Sequence, residues 1–214
     1  MECSVRGLVI FGGGLLLVAC GVLPSKGDRI HGELRELPPS TKTIIARGLP
    51  DEGMEEIGRF PDLEGISFSW GWREVDCEIT DQGIETLVGL DLQSLAMLDL
   101  GGCPEVSDRG ISLLAALPSL QILHITRCPS LTDDALRAIA KMHNVARLDL
   151  RGCPGVTDVG VRALAERDNW RSVYLDGCES VTMDAVALFR QRCPDAVISK
   201  DDDAWSQAML FVPN

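Results

Sequence analysis

Hydrophobic and polar residues alternate along this chain in a pattern that returns every 25 residues. The first half of the pattern occurs as Leu95-x-x-Leu98-x-Leu100-x-x-Cys103, Leu120-x-x-Leu123-x-Ile125-x-x-Cys128, Val145-x-x-Leu148-x-Leu150-x-x-Cys153 and Trp170-x-x-Val173-x-Leu175-x-x-Cys178. Its apolar residues alternate with polar or small residues, and this period of two predicts a short strand with one side facing inward. The fixed spacing predicts that the strands belong to equivalent repeated units.

Each predicted strand is followed by apolar residues at helical spacing. These segments are Val106-Ser107-Asp108-x-Gly110-Ile111-x-x-Leu114, Leu131-Thr132-Asp133-x-Ala135-Leu136-x-x-Ile139, Val156-Thr157-Asp158-x-Gly160-Val161-x-x-Leu164 and Val181-Thr182-Met183-x-Ala185-Val186-x-x-Phe189. Ser107, Thr132 and Thr157 are predicted N-caps, because a hydroxyl accepts from an unpaired helix N–H and the following Asp favours the positive helix end. A small residue follows where the helix must pass close to the neighbouring turn, at Gly110, Ala135, Gly160 and Ala185.

The pattern extends to both sides of these four units. Upstream, Phe60-Pro61-Asp62-Leu63-x-x-Ile66-x-Phe68 and Ile79-Thr80-Asp81-x-Gly83 form one unit, with a predicted loop insertion at 70–76, and Leu49-Pro50-Asp51-x-Gly53-Met54 forms a degenerate first helix. Downstream, Cys193-Pro194-Asp195-Ala196 opens a closing strand, which gives about six repeats. One unit cannot bury its own apolar face, so stacking must create the core. The predicted fold is an α/β solenoid.

The motif resembles the cysteine-containing leucine-rich repeats of F-box substrate receptors and of antagonist-of-mitotic-exit-network proteins, over residues 44–198. The resemblance implies a right-handed, ribonuclease-inhibitor-like horseshoe, with a concave parallel sheet that binds partners and a convex wall of helices. No F-box precedes these repeats, so ubiquitin-ligase membership is not implied. We expect a repeat domain at 43–198, a linker at 20–42 and a C-terminal cap or tail at 199–214.

The first 19 residues have the composition of an export signal. Arg6 is followed by an uncharged stretch from Gly7 to Ala19, too short for a membrane-spanning helix, which needs about 20 residues. Leu17-Val18-Ala19-Cys20 resembles the lipobox of bacterial lipoproteins. That resemblance implies cleavage before Cys20, a lipid on its sulfur, and membrane attachment in the bacterial cell envelope. The alternatives are an uncleaved apolar anchor or a misassigned start, with a cytoplasmic protein.

The charge and the composition argue against two classes of function. With 32 acidic and 20 basic residues the formal charge is −12, which should repel nucleic acid. The cysteines show no Cys-x-x-Cys, and Cys103, Cys128, Cys153 and Cys178 would form a ladder with one sulfur per repeat, which does not converge on a metal. We expect buried free thiols, no metal and no cofactor. A disulfide between neighbours remains possible, and Cys77 and Cys193 are left unassigned.

No catalytic motif is recognisable, and the only histidines are His31, His124 and His143. His124 shares a column of adjacent strands with Asp99 and Asp149, but no nucleophile stands beside them, so a solvated or partner-binding polar face is the preferred interpretation. We expect no enzymatic activity.

The outward strand positions are the predicted binding surface for a protein partner. We expect contacts from Arg147, Arg151, Tyr174, His124, Asp99, Asp149 and Asp176. Arginine and tyrosine are enriched among the residues that dominate binding energy. The alternative is an unspecialised sheet in which Arg147, Asp149 and Arg151 neutralise one another. The leading hypothesis is a membrane-tethered interaction module; an intracellular adaptor or substrate receptor and an unrecognised enzyme are the alternatives.

Overall fold

The computed structural model describes residues 34–69 and 77–200 in full, and the backbone alone of the strands at 8–11 and 14–17. One sheet contains nine strands in sequence order. They are β1 (Leu8–Phe11), β2 (Gly14–Leu17), β3 (Thr43–Ile45), β4 (Gly65–Ser67), β5 (Met97–Asp99), β6 (Ile122–His124), β7 (Arg147–Asp149), β8 (Ser172–Tyr174) and β9 (Val197–Ser199). The first two pair antiparallel, and every later neighbour pair is parallel.

One helix follows each of the strands β3 to β8. In chain order they are a 3₁₀ helix (Asp51–Arg59), α1 (Asp81–Gly89), α2 (Asp108–Leu113) continued by a 3₁₀ turn (Leu114–Ala116), α3 (Asp133–Ala140), α4 (Asp158–Leu164) and α5 (Met183–Arg192). Each helix packs on the next. The first is not α-helical, and it begins after Pro50, which supplies no side-chain cap, where the later helices have a hydroxyl. The alternation of strand and helix confirms the predicted α/β solenoid.

The core lies between the sheet and the helices. Leu98, Leu123 and Leu148 occupy the same register position on neighbouring strands, and none is exposed. From the other side, Leu136 and Val161 of the helices are equally buried. Burial of each such side chain stabilises the folded state by roughly 1.5 to 3 kcal/mol relative to leaving it exposed. The strand side chains that the alternation predicted to face inward are therefore buried.

The predicted N-caps are confirmed, because Ser107, Thr132 and Thr157 each accept a hydrogen bond from a backbone N–H in the first turn of the following helix. The small helical residues are also explained. A Cβ on Gly160 would lie 2.5 Å from the Oδ1 atom of Asp133 in the preceding repeat. The helix thus passes directly against the neighbouring repeat, as the sequence indicated.

A left-handed residue precedes each cysteine of the ladder. Gly102, Gly152 and Gly177 have φ values of 74°, 72° and 73°, and Arg127 holds the same position with φ 54°. This conformation costs an L-residue roughly 1–2 kcal/mol, whereas glycine adopts it freely. The turn explains why glycine recurs there.

The expectation that all ladder cysteines are free was wrong for Cys103, which forms a disulfide with Cys77. Cys128, Cys153 and Cys178 are free and buried, as predicted. The thiols of Cys153 and Cys178 donate to the carbonyls of Ile125 and Leu150 at 3.0 and 3.1 Å. Cys193 is also free and buried, and donates to the Arg167 carbonyl at 3.1 Å.

The packed structure begins upstream of the predicted boundary at residue 43. Within the expected linker, Leu34 is fully buried and Arg35 forms an ion pair of 2.7 Å with Glu56. The predicted lipidation site Cys20, the insertion at 70–76 and the tail after residue 200 lie outside the described residues.

Candidate partner-binding face

The strand side chains that point away from the helices form two columns across the sheet, together called the outer sheet face here. The first column contains Thr43, Gly65, Met97, Ile122, Arg147, Ser172 and Val197. The second contains Ile45, Ser67, Asp99, His124, Asp149, Tyr174 and Ser199. Neighbouring strands lie about 4.8 Å apart, so the predicted contact residues share one continuous surface.

Arg151 is held in place by two neighbours on this surface. Its Nε lies 2.9 and 3.0 Å from the two carboxylate oxygens of Asp149, and its Nη2 lies 2.6 Å from Oδ2. Its guanidinium also lies 5.8 Å from the centre of the Tyr174 ring, at cation–π distance. The hydrogen bonds and the charge of Asp149 raise the pKa of Arg151 further above its ordinary value. The side chain of Arg151 remains 39% exposed, so it is both held in place and accessible to a partner.

Asp149 has a different role from the one the sequence indicated. It was expected to contact a partner, but it is only 4% exposed and its carboxylate is occupied by Arg151. It also accepts the backbone N–H of Arg151 at 3.1 Å. Asp149 therefore positions Arg151 and does not itself offer a surface. Outward direction on a strand does not guarantee exposure, since a long neighbouring side chain covers a short one.

Asp176 lies beyond Asp149 on the same face. Its Oδ2 accepts a hydrogen bond from the hydroxyl of Ser199 at 2.6 Å, while its Oδ1 is buried and has no hydrogen-bond partner among the described residues. The charge of Asp176 contributes to the raised pKa of Arg151. Arg151 is thus flanked by two carboxylates.

His124 and Asp99 are neighbours in register but not hydrogen-bonded partners. Asp99 accepts the hydroxyl of Ser67 at 2.8 Å and the backbone N–H of Gly101 at 2.9 Å. Since Asp149 is occupied by Arg151, neither carboxylate orients the imidazole of His124. The half-buried imidazole makes no side-chain hydrogen bond within the described residues. The arrangement is that of a polar surface, as the sequence favoured, and not of an acid–base pair.

Arg147 is the exposed cation of the face. It makes no ion pair within residues 34–69 and 77–200, so the alternative of mutual neutralisation applies to Arg151 and Asp149 but not to Arg147. Arg147 instead lines a groove of about 490 Å³ at the starting ends of β6, β7 and β8. The groove, called the strand-start groove below, is lined by Pro118, Ser119, Gln121, Ile122, His143, Asn144, Ala146, Arg147, Asn169 and Arg171.

Arg171 belongs to this groove and was missed by the sequence analysis. It lies one residue before β8, outside the alternating strand positions that were considered. A signal was nonetheless present, because Ser119, Asn144 and Asn169 recur at the repeat period beside it. The residues at equivalent positions just before each strand therefore indicate the groove, in addition to those of the strands themselves.

Groups of three or more His, Cys, Asp or Glu side chains able to hold a metal ion do not occur among the described residues. Within the same residues, every helix is too short or too polar to cross a membrane.

The repeat units match a known family model. The model for the leucine-rich repeat matches residues 116–140 and 141–165, two consecutive units of the stack. The fold is a leucine-rich-repeat solenoid. No curated protein matches the sequence. The match to the family model covers the part of the solenoid that carries Ile122, His124, Arg147 and Arg151.

Solved structures show a similar fold at low sequence identity. A chain of the yeast Rad7 and Elc1 complex is 18% identical with a TM-score of 0.50, over 78% of this chain and 59% of that one. A chain of the TLR13–ssRNA13 complex is 19% identical with a TM-score of 0.45, over 67% of this chain and 21% of that one. This chain thus spans less than two thirds of each of those two chains, and the similarity to the first concerns the fold alone.

Proposed function

We propose that this leucine-rich-repeat solenoid is a non-catalytic module that binds a protein partner through its outer sheet face. The observation that carries the proposal is the fixed position of Arg151, which Asp149 and Tyr174 hold on a rigid parallel sheet. Side chains that are already ordered lose less conformational entropy on binding, so they serve well as anchors. Arginine and tyrosine are also the residue types that most often dominate interfaces.

The composition of the face favours a protein over other partners. It offers cations, carboxylates, hydroxyls and apolar side chains such as Ile122 within a few strand spacings, the mixture found at protein interfaces. The formal charge of −12 disfavours nucleic acid. Catalysis is not part of the proposal, because His124 lacks the oriented carboxylate and nucleophile that hydrolytic chemistry needs.

The proposal includes a membrane tether through a lipid on Cys20, in the bacterial cell envelope. It is supported by the Leu17-Val18-Ala19-Cys20 motif and by the Cys77–Cys103 disulfide, because disulfides persist in oxidising compartments outside the cytoplasm. An intracellular adaptor that joins a separate protein is the second candidate. Intact-mass analysis of the protein from its native host separates the two. A diacylated Cys20 supports the tether, and an unprocessed Met1 refutes it.

The binding face is tested by recovering the partner from native membranes and comparing variants in direct binding. Arg147→Ala and Tyr174→Ala should each weaken the complex by about 1–4 kcal/mol if they are central anchors. Arg137→Ala and Lys141→Ala on the helical side are matched controls, since both residues are exposed basic side chains. All four variants should have unchanged melting temperatures. Loss of binding in the helical variants alone would assign binding to the helices and refute the proposal.

A further inference from the structure

The strand-start groove differs from the rest of the outer sheet face in its charge. Its lining contains the guanidinium groups of Arg147 and Arg171 and no carboxylate. Both arginines are exposed, and neither makes an ion pair in the part of the chain that the structure describes. Two exposed arginines on the helices, by contrast, pair with acids: Arg109 with Glu85, and Arg137 with Asp134. In a protein with a formal charge of −12, an unopposed cationic pair is a local exception.

The backbone below the two arginines is rigidly held. The carbonyl of Gln121 accepts the N–H groups of Ala146 and Arg147 at 2.9 and 3.1 Å. One repeat further, the carbonyl of Ala146 accepts the N–H groups of Arg171 and Ser172 at 2.7 and 3.2 Å. The backbone positions of Arg147 and Arg171 are therefore fixed relative to each other, while their side chains can still adjust to a ligand.

The groove also offers hydrogen-bonding groups for a peptide backbone. The amide of Asn169 donates to the His143 carbonyl at 2.7 Å, and the amide of Asn144 donates to the Pro118 carbonyl. These bonds tie the side chains to the preceding repeat through Nδ2, and both residues line the groove. The Oδ1 atom of each amide is an acceptor. Gln121 is exposed and can both donate and accept. Ala146 has the smallest side chain of the lining and leaves room for a backbone to approach.

We propose that the strand-start groove binds an extended acidic segment of the protein partner, with Arg147 and Arg171 each contacting a carboxylate. Carboxylates match the unopposed guanidinium groups, which bind them through paired N–H donors. Carboxylates at positions i and i+2 of an extended chain lie on one side, about 7 Å apart. The strands that carry the two arginines lie about 4.8 Å apart, and the long arginine side chains can spread to reach two such carboxylates. This inference rests on the proposed function and names the chemistry of the partner.

A nucleic acid fits the same groove less well. Among the described residues that line it there is no Phe, Tyr or Trp, and the imidazole of His143 is the one aromatic ring, so bases have little stacking surface. A nucleic-acid strand carries a phosphate at every nucleotide, so it would extend past the two arginines onto a protein surface of net negative charge. A peptide with two carboxylates places its charges only where the cations lie.

The experiment is a selection of random twelve-residue peptides, displayed on phage, against the full chain. The selected peptides are then synthesised, together with versions in which each Asp or Glu is replaced by Asn or Gln. Fluorescence anisotropy measures their affinities for the wild type, for Arg147→Gln, Arg171→Gln and the double variant, and for Arg137→Gln as the control. Enriched sequences should contain at least two acidic residues. The double variant and the neutral peptides should each lose affinity by about tenfold or more, while Arg137→Gln changes it less than twofold.

Three results would overturn the proposal. They are enriched peptides without acidic residues, acidic peptides that bind the double variant as tightly as the wild type, and a single-stranded oligonucleotide that outcompetes the peptides at Arg147 and Arg171. The recovered partner separates this inference from the proposed function. If Tyr174→Ala weakens the partner complex and Arg171→Gln does not, the groove assignment fails while the outer sheet face stands. If neither weakens it, the proposed function itself fails.

Discussion

The carboxylate of Asp133 accepts two hydrogen bonds from Thr157 in the next repeat, from its backbone N–H at 2.9 Å and from its hydroxyl at 2.7 Å. The same relationship recurs along the stack in the pairs Asp51–Thr80, Asp81–Ser107, Asp108–Thr132 and Asp158–Thr182. The threonine or serine thus caps its own helix while the preceding repeat holds it. In the last helix the acidic position is occupied by Met183, which is 44% exposed. Within the described residues, no later helix N-cap follows to which a carboxylate at this position could bond.

This ladder predicts unequal effects for two adjacent acids of α3. Asp133→Ala should lower the free energy of unfolding by about 1–3 kcal/mol, because the Thr157 N–H and hydroxyl lose their acceptor. Asp134→Ala removes only an exposed pair with Arg137 and should cost about 0.5 kcal/mol or less. Both acids lie in the first turn, so loss of the favourable helix-dipole interaction is common to the two variants. Urea denaturation compares them, and equal losses would show that the ladder does not stabilise the stack.

The sequence predicted the parts of this structure that depend on local spacing. The strands, the N-caps and the buried thiols of Cys128 and Cys178 follow from residues within one unit, and they were correct. The contacts between units were less accessible. The position of Asp133 in the first helical turn explains why an acidic residue is favoured there. Its hydrogen bond with Thr157, however, depends on how far one repeat is displaced from the next.

Cys103 and Asp149 were misjudged, because local spacing gives the direction of a side chain but not what it contacts. Cys77 precedes Cys103 by 26 residues, one more than the repeat period, so spacing alone did not assign it to the ladder. Its bond to Cys103 joins two different repeats, and the residues within one unit do not indicate it. Asp149 was counted as exposed because strand alternation gives direction, whereas burial depends on where Arg151 folds back.

The Cys77–Cys103 disulfide predicts a stability that depends on redox conditions. The two residues are 26 apart in sequence, and closing a loop of this order restricts the unfolded chain by about 3 kcal/mol. Adding a thiol reductant should therefore lower the unfolding free energy of the wild type by about 2–4 kcal/mol. The Cys77→Ser variant should be less stable without reductant and insensitive to it. Peptide mapping of the unreduced protein must find the two cysteines linked; separate peptides would contradict the prediction.

The buried thiol of Cys128 predicts a loss of stability at alkaline pH. Burial raises its pKa from about 9 to about 11, since the thiolate would lose its hydration. The folded state therefore holds the proton more tightly than the unfolded state. The resulting stabilisation is complete below the unfolded pKa and is lost as the pH rises toward about 11. Urea denaturation at pH 8 and at pH 10.5 should show a smaller decrease for Cys128→Ala than for the wild type.

The loss of stability that Cys128→Ala causes at neutral pH is an independent check on the burial of this thiol. Cys128→Ala should destabilise the protein by about 1 kcal/mol, through a small cavity and the loss of the weak bond from its thiol to the Leu100 carbonyl at 3.4 Å. In the native wild type at pH 8, Cys128 should not react with a maleimide until the protein is unfolded. Rapid labelling of Cys128 in the folded state would contradict both its burial and the raised pKa.

Two glycines should respond to the same substitution with opposite signs. Gly152 has φ 72° in the turn before Cys153, and an added Cβ would lie 3.0 Å from the Cγ of Arg127. Gly152→Ala should therefore lower the unfolding free energy by about 1 kcal/mol, the left-handed penalty less the entropy that alanine removes from the unfolded chain. Gly89 ends α1, and a Cβ there meets no atom within 4 Å. Gly89→Ala should raise stability by about 0.4–1 kcal/mol, since it only restricts the unfolded chain. Thermal and urea denaturation of both variants measure the difference. A stabilising shift in both variants would mean that the turn before Cys153 does not require a left-handed residue.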